Sequence, residues 1–285
     1  MTRLPRRKTV KKHEKKANRV VFALLVVFSV SMLVPFLWML LTAFKTQAET
    51  TSVNPFVVFP TSVNMDSFAR VTATMPFGIL YFNTLVLIAG RIVFAVLTAL
   101  MAGYAFGRLN FSGKSFFFGL VLMQMMIPGQ IFIIPQFLMV SGMGMLNTHF
   151  ALLFPGLVTA FGTFLLRQHF MTLPRELEEA ARIDGCNVGQ SFIFVMVPLV
   201  RAGMVALGVF TALFAYRELL WPLIVNTSLT SLPLSAALAR LRGQFTTNYP
   251  EVMAASVLAC LPMIAIYLVF QRQFIQSVAS SGGKL

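Results

Sequence analysis

Six apolar runs, each long enough to cross a lipid bilayer, constrain the fold of this chain more than any other feature. A membrane-spanning helix needs about 20 apolar residues, and the 285-residue chain is 57% hydrophobic and only 11% charged. Because the backbone must satisfy its own hydrogen bonds inside lipid, the runs are predicted to be helices. The sequence therefore predicts an all-α, polytopic membrane protein. The predicted spans are residues 20–44, 80–106, 116–140, 150–166, 192–216 and 252–270.

Much of the positive charge of the chain lies at its N-terminus. The formal net charge is +14, and nine of the 23 basic residues precede the first apolar run. A polybasic segment in that place is typical of a cytoplasmic stretch that contacts anionic lipid headgroups. The charge therefore indicates a membrane-lipid partner, and we expect no nucleic-acid binding. The nine residues are Arg3, Arg6, Arg7, Lys8, Lys11, Lys12, Lys15, Lys16 and Arg19.

The positions of the other lysines and arginines predict the orientation of the spans. If the N-terminus is inside, seventeen of the 23 basic residues fall in inner segments and only four in outer segments. Inner loops of membrane proteins carry an excess of Lys and Arg. Since six is an even number of spans, both termini are predicted to be cytoplasmic. The four outer residues are Lys45, Arg70, Arg240 and Arg242.

Several functional classes lack the residues that they need. The first run is longer than the apolar core of about 7–15 residues in a cleaved signal peptide. Cys186 and Cys260 fall at different depths, and the three histidines are scattered, so neither a disulfide nor a metal site is predicted. The sequence contains no phosphate-binding loop, zinc-protease motif or serine-hydrolase motif. We therefore expect no catalytic residue, no metal and no cofactor.

The chain is predicted to hold one membrane domain with short extensions. Residues 1–19 form a basic cytoplasmic arm, residues 20–275 the membrane domain, and residues 276–285 a cytoplasmic tail. The two sizeable outer segments are residues 45–77 and 226–249. No repeat relates one half of the chain to the other, and no carboxylate is predicted deep within a span. Both points weigh against a secondary transporter, which remains the alternative.

Prolines and small residues predict that the spans are bent and closely packed. A proline inside a span frees backbone carbonyl groups that neighbouring helices or water must satisfy. Gly103 and Gly107 lie four residues apart, a spacing that permits close helix approach. Packing explains these small residues better than contact with a solute. The prolines in or near the spans are Pro35, Pro128, Pro135, Pro155 and Pro262.

A short polar segment, residues 174–190, separates the fourth and fifth apolar runs. Its carboxylates begin in the predicted first turn of a helix, where they complement the helix dipole. Leu177, Ala180 and Ala181 share a small apolar face, and Gly185 permits the chain to turn. A helix that lies on lipid usually carries Lys and Arg, so we interpret the segment as a docking surface for a protein, with lipid as the alternative. The carboxylates are Glu176, Glu178, Glu179 and Asp184.

This segment resembles the Glu-Ala-Ala loop of binding-protein-dependent ABC importer permeases. The matching residues are Glu179-Ala180-Ala181 and Ile183-Asp184-Gly185, a variant similar to the carbohydrate-uptake branch and in particular to the maltose-type six-span subunit. The resemblance extends from about residue 20 to the C-terminus. The other matching pieces are Asn83-Thr84-Leu85, Ala102 to Arg108, Phe111 to Lys114, Ile127-Pro128, Ile134-Pro135, Trp221-Pro222-Leu223 and Gln271 to Phe274.

The resemblance implies a type I ABC importer permease (MetI-like) fold that forms half of a translocation pore, in a bacterial or archaeal plasma membrane. The implied solute is a sugar or a related polyol. The implied partners are a cytoplasmic ABC ATPase dimer, a second, related permease subunit and an extracytoplasmic solute-binding protein. ATP hydrolysis is expected on the separate ATPase, which the loop would contact. The positions implied for this coupling are Glu176, Glu179, Ala180, Ala181, Asp184 and Gly185.

One charge falls within a predicted span and needs a partner. Arg91 lies near the middle of the second run, where an unpaired charge costs on the order of 3 kcal/mol on insertion scales. We expect it either to line the translocation pathway or to pair with the second permease subunit. Asn83 and Glu218 are the other candidates for the pathway.

Overall fold

The computed structural model describes residues 7–53, 57–241 and 247–282, and every regular element in these residues is helical. Of the basic residues used above to predict orientation, Arg3, Arg6, Arg242 and Lys284 lie outside the described residues. The chain divides into two compact units. They are Met1–Thr74 with Arg242–Leu258, and Met75–Leu241 with Ala259–Leu285.

The first unit begins with one long helix, α1 (Arg7–Ala43). From Arg7 onward, the predicted basic arm is therefore a continuous extension of the first span. Two short helices follow, α2 (Gln47–Thr51) and α3 (Asp66–Thr74). Within α1, the stretch Asn18–Ala43 is long and apolar enough to cross a membrane.

Two charged side chains order the connection between α1 and α3. Lys45 is only 2% exposed, and its Nζ donates a hydrogen bond to the carbonyl oxygen of Val57 at 2.7 Å. Thr46 begins α2 with a capping box, in which its hydroxyl accepts from the Glu49 N–H and its own N–H donates to the Glu49 carboxylate. The Thr61 hydroxyl and the N–H groups of Thr46 and Thr61 together lower the pKa of Glu49 to about 2.

The second unit is built around α4 (Phe77–Arg108), a helix of 32 residues. The helices that follow are α5 (Lys114–Met126), α6 (Ile133–Gly142), α7 (His149–Leu153), α8 (Ala160–Met171), α9 (Glu176–Ile183), α10 (Val188–Gln190), α11 (Val197–Leu199), α12 (Arg201–Arg217), α13 (Leu220–Val225) and α14 (Leu234–Ala239). Shorter segments are 3₁₀-helical at Gly129–Phe132, Phe154–Gly156 and Leu229–Ser231, and π-helical at Ser191–Met196. The last helix, α15 (Tyr249–Gly282), contains residues of both units and the described part of the predicted tail.

The described helices supply three continuous candidate spans, and up to six if each of three bent pairs counts as one span. This agrees with the six spans predicted from the sequence. The continuous spans are Asn18–Ala43, Phe77–Arg108 and Tyr249–Leu268. The bent pairs are Lys114–Met126 with Gly129–Gly142 at 100°, His149–Gly156 with Ala160–Met171 at 49°, and Val188–Leu199 with Arg201–Arg217 at 73°.

The breaks within the bent pairs have local causes. Ile127 is extended, with ψ 127°, because it precedes Pro128 and a residue before proline avoids the helical region. The Thr159 hydroxyl accepts a hydrogen bond from the Gly162 N–H and starts a new helix, α8. In contrast, Pro35 and Pro262 lie inside unbroken helices. Proline position alone therefore did not predict which spans break.

The core of the second unit forms where α4 packs against α8 and α12. A Cβ atom at Gly103 would lie 2.9 Å from the backbone nitrogen of Arg167, and one at Gly107 would lie 3.2 Å from the Cβ of Phe170. The predicted close approach at these two glycines is confirmed, because α8 lies directly against α4 where the glycines have no side chain. The packing places the Arg108 end of α4 directly beside the chain that leads from α8 into α9.

Candidate functional site

The polar segment between the fourth and fifth spans contains the predicted short helix, α9. Glu176, Glu178 and Glu179 lie in its first turn and Arg182 lies in its last turn. Backbone N–H groups in the first turn of a helix lack helical partners, and nearby carboxylates complement their partial positive charge. The sequence thus favours a helix that starts at Glu176 although the segment is only eight residues long.

Gly185 ends α9 with a turn that only a few residue types can form. Its φ is +86°, in the left-handed region that glycine adopts without a steric penalty. The Cys186 N–H donates to the Ala181 carbonyl at 2.9 Å, and the Gly185 N–H donates to the Arg182 carbonyl at 3.0 Å. These two bonds form a Schellman motif, which fixes the direction in which the chain leaves α9. The predicted glycine turn is confirmed.

The two faces of α9 differ in exposure and charge. Ala181 is only 6% exposed, and Leu177 and Glu178 are half-buried, so these residues form the inner face. The outer face is acidic and contains one large apolar side chain, Ile183, which is 86% exposed. Among the described residues, its carboxylates make no ion pair. The outer residues are Glu176, Glu179, Ala180, Ile183, Asp184 and Gly185, and Arg182 of α9 is exposed as well.

This arrangement divides the residues that the sequence grouped together. Ala180 was predicted to share a face with Leu177 and Ala181, but it is exposed whereas Ala181 is buried within the chain. Of the six residues implied for coupling, five are therefore exposed and Ala181 alone supports the helix from beneath. A helix of 3.6 residues per turn separates adjacent positions by about 100°, so Ala180 and Ala181 cannot both point inward at one narrow contact.

Arg108, the last residue of α4, joins that helix to the start of α9. Its Nε and Nη2 lie 2.7 and 2.6 Å from Oε2 of Glu178, in an ion pair whose side chains are only 5% and 15% exposed. The same guanidinium donates to the carbonyl oxygens of Leu173 at 2.9 Å and Pro174 at 3.1 Å. One planar side chain thus holds three acceptors, which suits the fixed fork of arginine donors.

Sequence reasoning missed this role of Arg108. From the sequence, Arg108 is one of the inner positive charges and the end of a family-matching piece, and Glu178 is part of the acidic surface. The only available signal was a basic residue in the last turn of a span, where the helix carbonyl groups attract positive charge. Residues 108 and 178 are 70 positions apart, so no local pattern connects them.

The chain after Gly185 returns to the core through another capped helix. The Asn187 side chain accepts from the Gln190 N–H, and the Gln190 side chain accepts from the Asn187 N–H. Phe192 then packs against two aromatic residues of the α4–α8 core, with ring centroids 4.9 Å from Tyr104 and 6.4 Å from Phe170. The polar segment is therefore anchored on both sides of its exposed helix.

Arg91 lies in the middle of α4 and finds its charge partner within the same chain. Its Nη1 is 2.5 Å from Oε2 of Glu218, and its Nη2 donates to the carbonyl oxygen of Leu152 at 2.7 Å. Arg91 is only 8% exposed. The counter-charge that we expected on a second permease subunit is thus present in this chain. The guanidinium also lies against Gly156, where a Cβ would come within 2.7 Å of Arg91 Cδ.

The position of Glu218 corrects one expectation from the sequence. No carboxylate was predicted deep within a span, because Glu218 follows directly after α12 and was taken as the end of the fifth span. The structure instead brings it beside Arg91, the fifteenth residue of the 32-residue α4. Glu218 therefore lies beside the middle of α4 although it follows the last residue of α12.

Asn83, the third candidate for the pathway, is also fully engaged. Its Nδ2 donates to the carbonyl oxygens of Thr230 at 2.8 Å and Leu232 at 2.9 Å, and its Oδ1 lies 2.9 Å from Nε2 of His149. A buried amide whose donors and acceptor are all satisfied holds the backbone in place. Asn83 therefore joins α4 to the segment that precedes α14.

The part of the chain that the structure describes contains no group of three or more His, Cys, Asp or Glu side chains able to hold a metal ion. Cys186 and Cys260 are both free and partly buried. Cys186 lies in the turn that follows α9, and Cys260 lies within α15.

Comparison with known proteins identifies relatives over most of the chain. The family model of the binding-protein-dependent transport system inner membrane component matches residues 95–280, more than half of the chain. The arabinooligosaccharides transport system permease protein AraQ of Halalkalibacterium halodurans is 33% identical over 88% of this chain and 90% of its own length. The sn-glycerol-3-phosphate transport system permease protein UgpE of Yersinia enterocolitica is 32% identical over 72% of this chain and 74% of its own length.

Solved structures share the fold. A chain of a bacterial ABC transporter involved in the import of the acidic polysaccharide alginate aligns with a TM-score of 0.77 and 21% identity, over 95% of this chain and 99% of that chain. A second structure, of the alginate transporter in complex with an alginate pentasaccharide-bound periplasmic protein, aligns with a TM-score of 0.63 and 15% identity. The all-α, six-span permease fold predicted from the sequence is therefore confirmed.

Proposed function

Because this chain belongs to the family of binding-protein-dependent transport system inner membrane components, we propose that it is one permease subunit of an ATP-driven importer for a sugar or a related polyol. Relatives named for arabinooligosaccharide and sn-glycerol-3-phosphate transport support this solute class. A second, related permease subunit supplies the other half of the pore. An extracytoplasmic binding protein delivers the solute, and the ATP is hydrolysed by a separate ATPase dimer.

The observation that carries the proposal is the exposed acidic face of α9. This face offers three carboxylates without ion-pair partners in the described chain and one apolar side chain, Ile183. Acidic side chains beside anionic lipid headgroups are unfavourable, so a protein surface with basic and apolar groups fits better. We assign the residues Glu176, Glu179, Ala180, Ile183, Asp184 and Gly185 to contact with the ATPase.

The excess of basic residues in alternate segments supports an orientation with both termini and α9 in the cytoplasm. In that orientation, an ATPase that closes on ATP displaces α9. The inner face of α9 transmits the displacement to the spans, through Ala181 and through Glu178 to α4. The spans then open the cavity to the other side of the membrane, where the loaded binding protein releases its solute.

Arg91, Glu218 and Asn83 fit a structural role beside the pathway better than direct contact with solute. Their charged and amide groups already bind other groups of this chain, at distances of 2.5–2.9 Å. A solute hydroxyl would compete with an ion pair or a hydrogen bond that most of these groups already form, whereas Nε of Arg91 is buried without a hydrogen-bond partner in the described chain. We propose that these residues hold α4, α7 and α12 in register.

The proposal is tested by reconstitution of the complete importer in proteoliposomes. The chain is assembled with its own second permease subunit, ATPase and binding protein, and ATP hydrolysis is measured with arabinooligosaccharide and with glycerol-3-phosphate as first solutes. We expect solute-dependent stimulation of hydrolysis, lost on Glu179→Arg or Gly185→Val. Stimulation that survives both substitutions would contradict the assignment of α9.

A secondary transporter remains the second candidate, because Glu218 is a carboxylate at the middle depth of α4. Membrane-embedded carboxylates commonly couple transport to an ion gradient. The same proteoliposomes distinguish the two functions, since uptake driven by a proton or sodium gradient without ATP would favour the secondary transporter. We expect no such uptake, because the arginine partner holds Glu218 in an ion pair.

A further inference from the structure

We propose that the Arg108–Glu178 ion pair is the positioning contact that makes α9 and α4 move as one body. This inference rests on the proposed function, in which α9 receives the motion of the ATPase. Arg108 would act through α9 and contact neither ATP nor solute. The surface residues of α9 explain what binds there, whereas this pair explains how a displacement of α9 reaches the membrane.

The geometry of the contact favours transmission of motion over simple charge neutralisation. Two nitrogens of Arg108 share one carboxylate oxygen of Glu178 at 2.6–2.7 Å, and two backbone carbonyls complete its coordination at 2.9 and 3.1 Å. The acceptors at Leu173 and Pro174 lie before α9, and Glu178 lies in its first turn. One side chain therefore fixes both the position and the rotation of the helix start.

The burial of the pair strengthens it relative to a surface ion pair. Exposed pairs contribute little because water screens them and because two long side chains must be ordered. Here the Arg108 side chain is 5% exposed and that of Glu178 is 15% exposed. The Arg70–Glu251 pair in the first unit, by comparison, has side chains that are 56% and 26% exposed. The Arg108 pair is the better suited of the two to hold a helix against an applied force.

The other contacts of α4 allow this helix to carry a displacement from its Arg108 end to its middle. Near its Arg108 end, α4 also accepts a hydrogen bond at the Phe106 carbonyl from Nε of Arg167 on α8, at 3.1 Å. At its middle, Arg91 binds Glu218 and the Leu152 carbonyl. A displacement that enters α4 at Arg108 is thus delivered through a continuous helix to the part of the chain where three segments meet.

The first experiment tests whether the Arg108–Glu178 pair holds α9 at a fixed distance from α4. It uses the full chain without its partners, in lipid nanodiscs and without nucleotide. Spin labels are placed at Ile183 on α9 and at Phe94 on α4, which are both exposed, in a Cys186→Ser, Cys260→Ser background. Double electron–electron resonance should give one narrow distance distribution. Glu178→Gln and Arg108→Gln should each broaden it, while Arg108→Lys, which keeps the charge but loses the fork, should give an intermediate width.

The matched control is Arg175→Gln, which removes one arginine charge from the same exposed surface next to α9. We expect it to keep the narrow wild-type distribution. The double variant Arg108→Gln, Glu178→Gln should be no broader than Arg108→Gln alone, because a second loss at one contact adds nothing. A Glu178→Gln distribution as narrow as that of the wild type would overturn the proposal.

The second experiment repeats the measurement in the complete importer, with MgATP and vanadate as the only added ligands. The α9 label is moved to Arg182, which is also exposed, because Ile183 is assigned to the ATPase contact. If α9 and α4 move together, the wild-type distance stays the same when nucleotide is added, whereas Glu178→Gln acquires a second distance. A wild-type distance that itself changes with nucleotide would overturn the inference. Failure of the proposed function is recognised separately, because the wild-type importer would then show no solute-stimulated ATP hydrolysis at all.

Discussion

Arg91, Glu218 and Asn83 bind other groups of their own chain, whereas the carboxylates on the outer face of α9 point away from it. Both regions connect to α4, and both were candidate sites in the sequence. The difference follows from their surroundings. A charge within a span is costly unless it is paired, while a charge on an exposed helix needs no partner and is available for one outside the chain.

A charged residue within a span and a charged residue on a polar helix look alike as sequence signals, but their surroundings in the structure differ. A charged residue in an apolar run suggested a place on the pathway, but its ion pair and its hydrogen bond within the chain indicate support of the helices. A charged residue on a polar helix suggested a docking surface, and its unpaired state supports that function. The carboxylates of α9 also differ from one another, since Glu178 faces inward to Arg108 and Glu179 faces outward.

The largest effect should come from breaking the buried pair in the span. Glu218→Leu leaves the Arg91 guanidinium buried without its counter-charge, and removal of one partner of a buried pair costs about 3–5 kcal/mol. Thermal unfolding of the chain in nanodiscs should show a clear loss of stability. The double variant Arg91→Met, Glu218→Met should recover most of it, because it leaves no unpaired charge. A Glu218→Leu chain as stable as the wild type would show that the Arg91–Glu218 ion pair does not stabilise the fold.

A smaller effect is expected from a change at Gly185, the residue on which the turn at the end of α9 depends. Gly185 has φ +86° and open space within the chain around its missing Cβ, so Gly185→Val causes no clash inside the chain but strains the backbone by about 1–2 kcal/mol. Binding of the ATPase, measured by titration of the purified chain in nanodiscs, should weaken by roughly tenfold. The control Gly189→Ala lies in α10 and should bind normally. Equal binding by all three chains would mean that the turn does not orient α9.

The smallest effect should come from a single outward carboxylate. Glu179→Gln should leave thermal stability unchanged, because the side chain is exposed and makes no ion pair in the described chain. An exposed pair with the ATPase is worth about 0.2–1 kcal/mol, so affinity should fall by less than about tenfold. The loss should shrink as salt is raised, because salt screens exposed charges. A change in the unfolding temperature would instead place Glu179 inside the fold.

The sequence by itself determined the helical class, the six spans and the short polar helix α9. These depend on hydropathy and on local chemistry, such as the first-turn carboxylates of α9 and the left-handed turn at Gly185. Such signals lie within a few residues of the features that they predict. The resemblance to a permease family rested on the same local motifs, and the family match confirms it.

Only the tertiary structure decided which charges meet. Arg108 and Glu178 are 70 positions apart, and Arg91 in the middle of α4 lies beside Glu218 at the end of α12. Hydropathy reports how apolar a run is, but it carries no information about where a helix breaks or which residue lies at the same depth in a neighbouring helix. The physical reason is that ion pairs between helices depend on packing across the whole unit, which no short stretch of sequence contains.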